Sequence, residues 1–274
     1  MSLTHPFARA PFGTHRSGRF DFDPPEHVRY WEPWPRRMRA VLAGQTVLDS
    51  SRGILLWETG NFPAYYYPLE DIRQDLLEDS TSDDGQDRPK RWSVRVGQRL
   101  AENCLTASPR GPDGEELLRG YVTFHQSHGP QGHADPRALD EWFEEDDPIH
   151  GHPRDPYHRV DVRSSSRHVI VRHNGEVVAE SRRPKLVFET GNPIRYYLPL
   201  ADVRIELLTK SEFVSACPYK GDGQHWHLSA GGEVVENAAW SLPHPLPEGL
   251  AAAEHVCFYP EKADVEVDGT RVPE

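Results

Sequence analysis

The chain has 274 residues and a formal net charge of −12 at pH 7. This length allows two domains that each bury a core, and the acidic balance argues against nucleic acid as the main partner, because phosphate binding needs concentrated positive charge. No apolar run is long enough for a signal-peptide core or a membrane span, so we expect no membrane partner and a cytoplasmic location.

Residues 1–35 form an N-terminal arm in front of the first recognisable domain. Tyr30, Trp31 and Trp34 lie near its end. We expect these aromatic residues to act as a strap over a core rather than as a binding motif.

The next segment begins an internal repeat. Trp57–Leu77 and Phe188–Leu208 share twelve identities in 21 positions, at an offset of 131 residues; chance would give about one. After a gap the match resumes at an offset of 134, which pairs Trp92 with Trp226. The chain is therefore predicted to be a tandem duplication.

We place the first copy at residues 36–125 and the second, complete copy at 167–274. In the second copy, His168–His173 alternates before Asn174-Gly175, a dipeptide that supplies the positive φ angles of a tight hairpin. Ala43-Gly44 takes the same place in the first copy. The other elements predicted in the second copy are strands at Lys185–Phe188, Tyr196–Leu198 and Val203–Leu208, a Gly231-Gly232 hairpin turn and a short helix at Glu248–His255. The predicted fold class is all-β.

Residues 126–166 are predicted to be a His-rich and acidic linker. Asp135 as N-cap and Pro136 at the first helical position predict a short amphipathic helix. Its apolar stripe and acidic end are Leu139, Trp142, Phe143 and the run Glu144–Asp147. The histidines of this segment lack regular spacing and cysteine partners, so we favour a solvated linker over a metal site for His128, His133, His150 and His152.

The three cysteines are Cys104, Cys217 and Cys257, and none forms a Cys-x-x-Cys pair. An odd count without such pairs favours a reducing compartment over a disulfide framework. We predict neither a metal nor a cofactor.

The motifs of the second copy occur in the order of a known family. They are Glu189-Thr190-Gly191, Tyr196-Tyr197-x-Pro199, Asp202-Val203-Arg204, Cys217-Pro218-Tyr219-Lys220-Gly221, Glu236-Asn237-Ala238-Ala239-Trp240-Ser241 and Phe258-Tyr259-Pro260. This series resembles the bacterial domain-of-unknown-function family 427. The resemblance implies a β-tent fold, in which two antiparallel sheets meet at an angle, as in the thalidomide-binding domain of cereblon and in B-type methionine sulfoxide reductases. Those relatives usually carry two Cys-x-x-Cys pairs, so their absence here implies a metal-free tent.

The same resemblance brings a nucleotidyltransferase-like label. Such an enzyme needs a Gly-Gly or Gly-Ser turn followed by a spaced Asp-x-Asp pair that holds magnesium against phosphates. Asp21-Phe22-Asp23 lies too early, Gly231-Gly232 is followed by no such pair, and Lys220–Gly223 lacks phosphate-loop spacing. We therefore disfavour a transferase.

The second copy carries aromatic and polar residues of the kind that line ligand pockets. The predicted ligand-binding residues are Glu189, Tyr196, Arg204, Tyr219, Lys220, Asp222, His225, Trp226, Trp240 and Tyr259. Flat aromatic faces suit a planar or cationic small molecule. The competing interpretation is structural, because Tyr and Trp are common core residues in a small β domain. Trp240 and Tyr219 are the strongest candidates, since they lie beside strand ends and turns.

Comparison of the copies sharpens this prediction. The residues that the first copy keeps, which we assign to the fold, are Glu58, Thr59, Gly60, Tyr65, Tyr66, Pro68, Asp71 and Arg73. The first copy has no counterpart of Cys217–Gly221, and we align Leu105 with Trp240. It is thus predicted to be a degenerate partner that supports the second copy or oligomerises.

Cys217, Lys220 and His225 are the candidate catalytic residues. Lys220 and His225 could lower the thiol pKa if the loop folds inward, although buried cysteines are more often inert packing residues. A metal site of Cys217, His225 and His227 is a weaker alternative.

Three functions stay open. They are a small-molecule binding module, an enzyme of hydrolytic or thiol type, and an interaction scaffold that uses the arm and the linker. Composition leaves enzyme status and the oligomeric state undecided, a homodimer included.

Overall fold

The computed structural model describes residues 3–4, 9–16, 18–80, 89–111, 114, 116–125, 138–149 and 154–273. Contacts divide the chain into two compact units. The first unit comprises Ser2–His128 and Gly132–Asp155, and the second is built mainly from Pro156–Glu274. Among the described residues, no helix has the length and hydropathy needed to cross a membrane.

Two antiparallel sheets make up the first unit. Its strands are β1 (Arg29–Trp34), β2 (Met38–Leu42), β3 (Gln45–Ser50), β4 (Gly53–Glu58), β5 (Ala64–Pro68), β6 (Leu77–Asp79), β7 (Arg91–Val96), β8 (Arg99–Ala107), β9 (Tyr121–Phe124), β10 (Glu141–Glu144) and β11 (Asp147–Pro148). Two 3-10 helices follow β5, namely η1 (Leu69–Asp71) and η2 (Gln74–Leu76). The strand orders are β1-β4-β5-β9-β8-β7-β6 in the seven-stranded sheet and β11-β10-β2-β3 in the four-stranded sheet.

The second unit repeats this plan. Its strands are β12 (Val160–Ser164), β13 (Val169–His173), β14 (Glu176–Ser181), β15 (Lys185–Glu189), β16 (Arg195–Pro199), β17 (Leu208–Ser215), β18 (Gly221–Ala230), β19 (Glu233–Pro245), β20 (His255–Phe258), β21 (Asp264–Val267) and β22 (Thr270–Arg271). Its 3-10 helices are η3 (Leu200–Asp202), η4 (Ile205–Leu207) and η5 (Pro247–Ala252). The strand orders are β12-β15-β16-β20-β19-β18-β17 and β14-β13-β21-β22.

The predicted all-β tandem duplication is confirmed, because every strand of the first unit has a counterpart at the same place in the second. The predicted hairpin turn is also present. Asn174 and Gly175 have φ angles of 48° and 82°, and Ala43 and Gly44 have angles of 47° and 74°. A two-residue hairpin turn between antiparallel strands requires such positive φ angles at both of its central residues.

The predicted linker helix is wrong where the structure describes this segment. Glu141–Glu144 is strand β10 and pairs with β2, with Trp142 opposite Ala40. Trp142 packs against the first core, in which Leu139 is buried. Pairing with an open strand edge satisfies more backbone groups than a short isolated helix would, and here it overrides the local helix signals.

The acidic run takes part in the same hairpin. Asp146 lies 2.9 Å from the Arg39 guanidinium, and Glu145 adopts a φ of 54° in the turn between β10 and β11. The remaining residues used for the linker prediction lie outside the described residues; they are Asp135, Pro136, His128, His133, His150 and His152.

The end of the arm is a strand rather than a strap. β1 pairs with β4 along its whole length, and Trp34 is buried in the first core. Tyr30 and Trp31 remain exposed. The counterpart β12 pairs with β15 in the same way, so both copies begin earlier than the sequence comparison suggested.

Two predicted elements of the second unit also differ. Val203–Leu208 is not one strand, because η4 interrupts it and β17 begins at Leu208. The helix predicted at Glu248–His255 is the 3-10 helix η5, and His255 begins β20. Pro247 at the first turn of η5 fits the start of such a helix.

Alternate residues of the large sheet in the second unit face two different clusters. Leu198, Ala239 and Val256 belong to the core that joins the two sheets. Their neighbours Tyr197 and Trp240 belong to a separate cluster on the opposite face. The period of two in a strand therefore directs one set of side chains away from the main core, and this outer face carries the candidate site.

Candidate functional site

A cleft of about 190 Å³ opens on the outer face of the large sheet in the second unit. Its lining residues are Glu189, Asn192, Arg195, Ser215, Cys217, Lys220, Gly221, Gly223, Trp240, Leu242 and Tyr259. The Cys217–Gly221 turn and Trp240, which are far apart in sequence, therefore meet at one cleft. The lining combines aromatic faces with charged groups, as small-molecule sites do.

A buried ion pair forms the base of the cleft. The Lys220 ammonium contacts one oxygen of Glu189, and the His158 Nε2 lies 3.2 Å from the other. The Glu189 and Lys220 side chains are only 8% and 16% exposed, and His158 is fully buried against the Tyr219 ring, with 4.0 Å between centroids. Both carboxylate oxygens thus have partners.

This pair remains charged at neutral pH. Burial by itself would raise the pKa of Glu189, but the Lys220 ammonium and the His158 hydrogen bond hold that pKa well below its ordinary value. Burial would lower the pKa of Lys220, and the Glu189 carboxylate outweighs that effect and raises it. Lys220 is therefore a fixed cation rather than an amine nucleophile, and Glu189 is a weak base.

The position of Lys220 depends on a tight turn. The Gly221 amide donates to the Cys217 carbonyl over 3.0 Å, and Gly221 has a φ of 93°. A β-carbon at Gly221 would lie 2.7 Å from the His244 carbonyl oxygen, so only glycine fits. The Leu246 amide donates to the Lys220 carbonyl, which ties the start of η5 to the turn.

Two aromatic rings and one guanidinium form the wall of the cleft. The Trp240 and Tyr259 centroids are 4.2 Å apart, and the Arg195 guanidinium carbon lies 5.6 Å from each ring. Trp240 is held in place because its Nε1 donates to the Tyr197 hydroxyl over 2.8 Å. Among the described residues, the carboxylate partner of Arg195 is Glu261, at 3.8 Å. Arg195 therefore keeps much of its capacity for an additional anion.

Burial raises the pKa of Tyr259 to about 12. Its hydroxyl is thus neutral at pH 7. It can donate one hydrogen bond to a ligand without adding charge to the cleft.

His225 is buried beside the cleft rather than in its lining. Its Nε2 lies 3.1 Å from the Ser215 hydroxyl, and its ring is 4.6 Å from Phe213 and 6.1 Å from Tyr259, between centroids. Burial, with a smaller contribution from the Lys262 ammonium, lowers the pKa of His225. The ring is therefore neutral at pH 7.

Cys217 is half-buried at the cleft, and its Sγ accepts a hydrogen bond from the Lys220 amide over 3.4 Å. The side-chain contact of His225 is with Ser215 rather than with Cys217. His227 instead accepts the Asn237 amide through its Nδ1 over 3.1 Å. Within the described ranges, no group of three or more His, Cys, Asp or Glu side chains could hold a metal ion.

Several predicted ligand-binding residues lie outside the cleft lining. Tyr196 and Trp226 pack against the core between the sheets, because their strand positions alternate with those of the outer face. Arg204 is on the surface, where it pairs with Glu176 and Glu206 at 2.6 and 3.0 Å.

The other two are close to the site but do not line the cleft. Tyr219 is buried against His158 and supports the ion pair from behind. Asp222 follows the tight turn at the start of β18, opposite His244.

Strand register defines the counterparts of these residues in the first unit. Trp226 pairs with Ala239, and Trp92 pairs with Leu105. Leu105 is therefore the counterpart of Ala239, and the alignment of Leu105 with Trp240 is wrong by one residue. The residue at the position of Trp240 is Thr106.

The other wall residues are also replaced in the first unit. Ala64 stands where the second unit has Arg195, because Leu56 pairs with Ala64 as Val187 pairs with Arg195. His125 follows β9 as Tyr259 follows β20. The cation and both aromatic rings of the wall are thus specific to the second unit.

The carboxylate, in contrast, is common to both units. Glu58 lies 3.0 Å from His27 and 2.6 Å from Arg29. The contact of Glu58 with His27 corresponds to that of Glu189 with His158. The cation beside Glu58 is Arg29 of β1, whereas the cation beside Glu189 is Lys220 of the tight turn. The His27 and His158 pair was missed by the sequence comparison, although both histidines keep the offset of 131 residues.

Arg195 was also missed, because it lies inside the matched block at a position that differs between the copies. A search of that block for positions at which the two copies differ, rather than agree, would have identified Arg195.

The family comparison agrees with the duplication. A family described as domain of unknown function (DUF427) matches the chain twice, over residues 30–142 and 161–269. Each match begins within the first strand of a unit, at β1 or β12. None of the curated proteins matches the chain significantly.

Proposed function

The chain belongs to the DUF427 family, and we propose that the cleft of its second unit binds a small planar molecule that carries an acidic group. The observation that carries this proposal is the wall of Trp240, Tyr259 and Arg195 beside the paired Lys220. The volume of the cleft, about 190 Å³, suits one aromatic ring with substituents.

Charge selects the acidic ligand over a cationic one. The Glu189 carboxylate is already neutralised by Lys220, and the Arg195 guanidinium lies over both rings of the wall. A cationic ligand would meet Arg195 at the faces that could bind it by a cation–π contact. A carboxylate would instead receive two parallel hydrogen bonds from the guanidinium while its ring packs beside Trp240.

Three probes of one shape test this proposal. Benzoate, benzamide and benzamidinium differ mainly in charge, so their binding by calorimetry separates electrostatic from shape recognition. We expect benzoate to bind most tightly and to raise the melting temperature of the second unit. We expect benzamide to bind more weakly and benzamidinium not to bind. Preference for benzamidinium would contradict the acidic ligand class.

Variants locate the binding. Arg195→Gln and Trp240→Ala are both expected to weaken benzoate binding at least tenfold, because each removes one side of the wall. Arg163→Gln, an exposed change on the neighbouring strand β12, and Trp226→Phe, a change outside the cleft lining, serve as controls. Unchanged benzoate affinity in Arg195→Gln, with the fold intact, would remove the proposal.

A thiol enzyme is the second candidate, favoured by the placement of Cys217. This half-buried thiol lines the cleft beside Lys220, whereas Cys104 and Cys257 are buried. Alkylation by iodoacetamide at pH 7, with Cys217→Ser as control, tests it. A catalytic thiol should react faster than free cysteine. A Cys217 that reacts at or below that rate would leave binding as the function.

A further inference from the structure

A second charged feature lies in the first unit, on residues that do not line the cleft. Residues 1–20 contain Arg9, Arg16 and Arg19 and no aspartate or glutamate, although the chain has 43 acidic residues. The negative charge of the chain is therefore carried entirely by the remaining residues. Such local asymmetry indicates a basic patch on an acidic protein.

The backbone brings these arginines together. Arg9 and His15 form an isolated bridge, and the Gly13 amide donates to the Ala10 carbonyl over 3.2 Å, so the chain turns back on itself. The loop is fixed to the unit because the Thr59 hydroxyl donates to the Phe12 carbonyl over 2.8 Å. Arg9 and Arg16, seven residues apart, therefore border the same space.

That space is a pocket of about 240 Å³, lined by Arg9, Pro11, Arg16, Gly18, Arg19 and Phe20. One guanidinium is oriented by its surroundings, since Arg16 donates to the Pro25 carbonyl over 3.4 Å and lies 5.7 Å from the Phe20 ring centroid. A β-carbon at Gly18 would meet nothing within 4 Å, so the pocket is open to solvent at that point.

The three guanidinium groups have no ion-pair partner in the part of the chain that the structure describes. This differs from the other arginine-rich surfaces of the unit, where Arg37 and Arg52 are paired with Asp49 and Asp71. Positive charge without a protein counter-ion is available for an anion from solution.

We propose that this pocket binds a small multivalent oxyanion, such as the diphosphate or triphosphate group of a metabolite. Guanidinium groups form paired hydrogen bonds with phosphate oxygens, and three of them can contact the several oxygens of one such group. Repulsion by the acidic remainder of the chain disfavours a long polyanion, so the ligand is a small molecule rather than a nucleic acid.

Calorimetry with inorganic triphosphate on the full chain tests this site. The variant Arg9→Gln/Arg16→Gln/Arg19→Gln removes three positive charges from the pocket. The matched control Arg119→Gln/Arg163→Gln/Arg182→Gln removes three exposed charges elsewhere. We expect the pocket variant to bind triphosphate at least tenfold more weakly than wild type, and the control to differ by less than about twofold, with melting temperatures unchanged in both.

The outcomes are distinct. Equal loss in both triple variants would show attraction by overall charge and overturn the site, as would unchanged affinity in the pocket variant. Loss in Arg195→Gln instead would assign the anion to the cleft of the second unit. If duplex DNA bound more tightly than triphosphate and competed with it, the ligand of the pocket would be a nucleic acid, and the proposed small ligand would be overturned. Benzoate binding to the same variants is measured separately, so failure of the triphosphate site and failure of the proposed cleft ligand are distinguished.

Discussion

The two units share one scaffold but differ on the outer face of the large sheet. Both hold a carboxylate against a histidine, as Glu58 with His27 and Glu189 with His158. The second unit adds the Cys217–Gly221 turn and the wall of Arg195, Trp240 and Tyr259. The duplication therefore separates what the fold requires from what a site requires.

A second shared feature supports this division. The Ser50 hydroxyl donates to Asp71 over 2.6 Å, and the Ser181 hydroxyl donates to Asp202 over 2.7 Å. In each unit an arginine pairs with the same aspartate. Because both units keep this cluster, we assign it to the junction between the sheet and the following 3-10 helix rather than to a ligand.

The largest expected difference in stability between the two units concerns the strand position that Trp57 and Phe188 occupy. Trp57 is fully buried and its Nε1 donates to Asp155 over 3.1 Å, whereas its counterpart Phe188 is 41% exposed. Trp57→Ala should lower the unfolding free energy of the first unit by about 4 kcal/mol, because it leaves a large cavity. Phe188→Ala should cost less than about 1 kcal/mol. Denaturant unfolding of the full chain measures both. Equal costs would contradict the difference in burial.

The next difference in stability concerns the cation that pairs with the shared carboxylate, which is Lys220 in the second unit and Arg29 in the first. Lys220→Met should destabilise the second unit by about 3 kcal/mol, because Glu189 is left buried and charged. Arg29→Met should cost about 1 kcal/mol or less, since Glu58 is more exposed and keeps His27. Thermal unfolding measures both effects.

A double variant checks the electrostatic cause of the Lys220 effect. Adding Glu189→Gln to Lys220→Met removes the uncompensated charge and should recover most of the loss. No recovery would mean that packing of the lysine stem, rather than its charge, is what stabilises the unit.

The smallest effect is the pH dependence of stability that His225 gives to the second unit. The first unit lacks this contribution, because Arg91 stands at the position of His225. The folded state holds His225 neutral with a lowered pKa, while the unfolded chain takes up a proton near pH 6.5. The unfolded state therefore binds more protons below that pH, and stability falls as pH decreases from 7 to 5.5. His225→Phe should reduce this fall by a few degrees of melting temperature at most. An unaltered profile would assign the pH dependence to other groups.

Much of the fold could be predicted from the sequence, because repetition and alternation are local signals. The Asn174-Gly175 turn and the short strands beside it depend on neighbouring residues alone. The strand Glu141–Glu144 could not be predicted in this way, since its pairing with β2 is a contact between residues about 100 positions apart. Local caps and an apolar stripe favoured a helix there, and tertiary pairing decided otherwise.

The candidate site was predicted in part. The motif of Cys217–Gly221 and the difference at Trp240 indicated the second copy as the location of the site. The role of Arg204 was misjudged, because a charged residue near a motif gives no information about the face on which its side chain lies. Arg195 was missed for the complementary reason, since its position over two rings depends on three separate strands or strand ends.

The sequence by itself determined the duplication, the all-β class and the residues in which the copies differ, because identity and period are properties of the chain. Only the tertiary structure decided which of those residues share a face, because a shift of one residue in register reverses the direction of every side chain in a strand. That direction places Tyr196 in the core, while its neighbour Tyr197 supports the cleft.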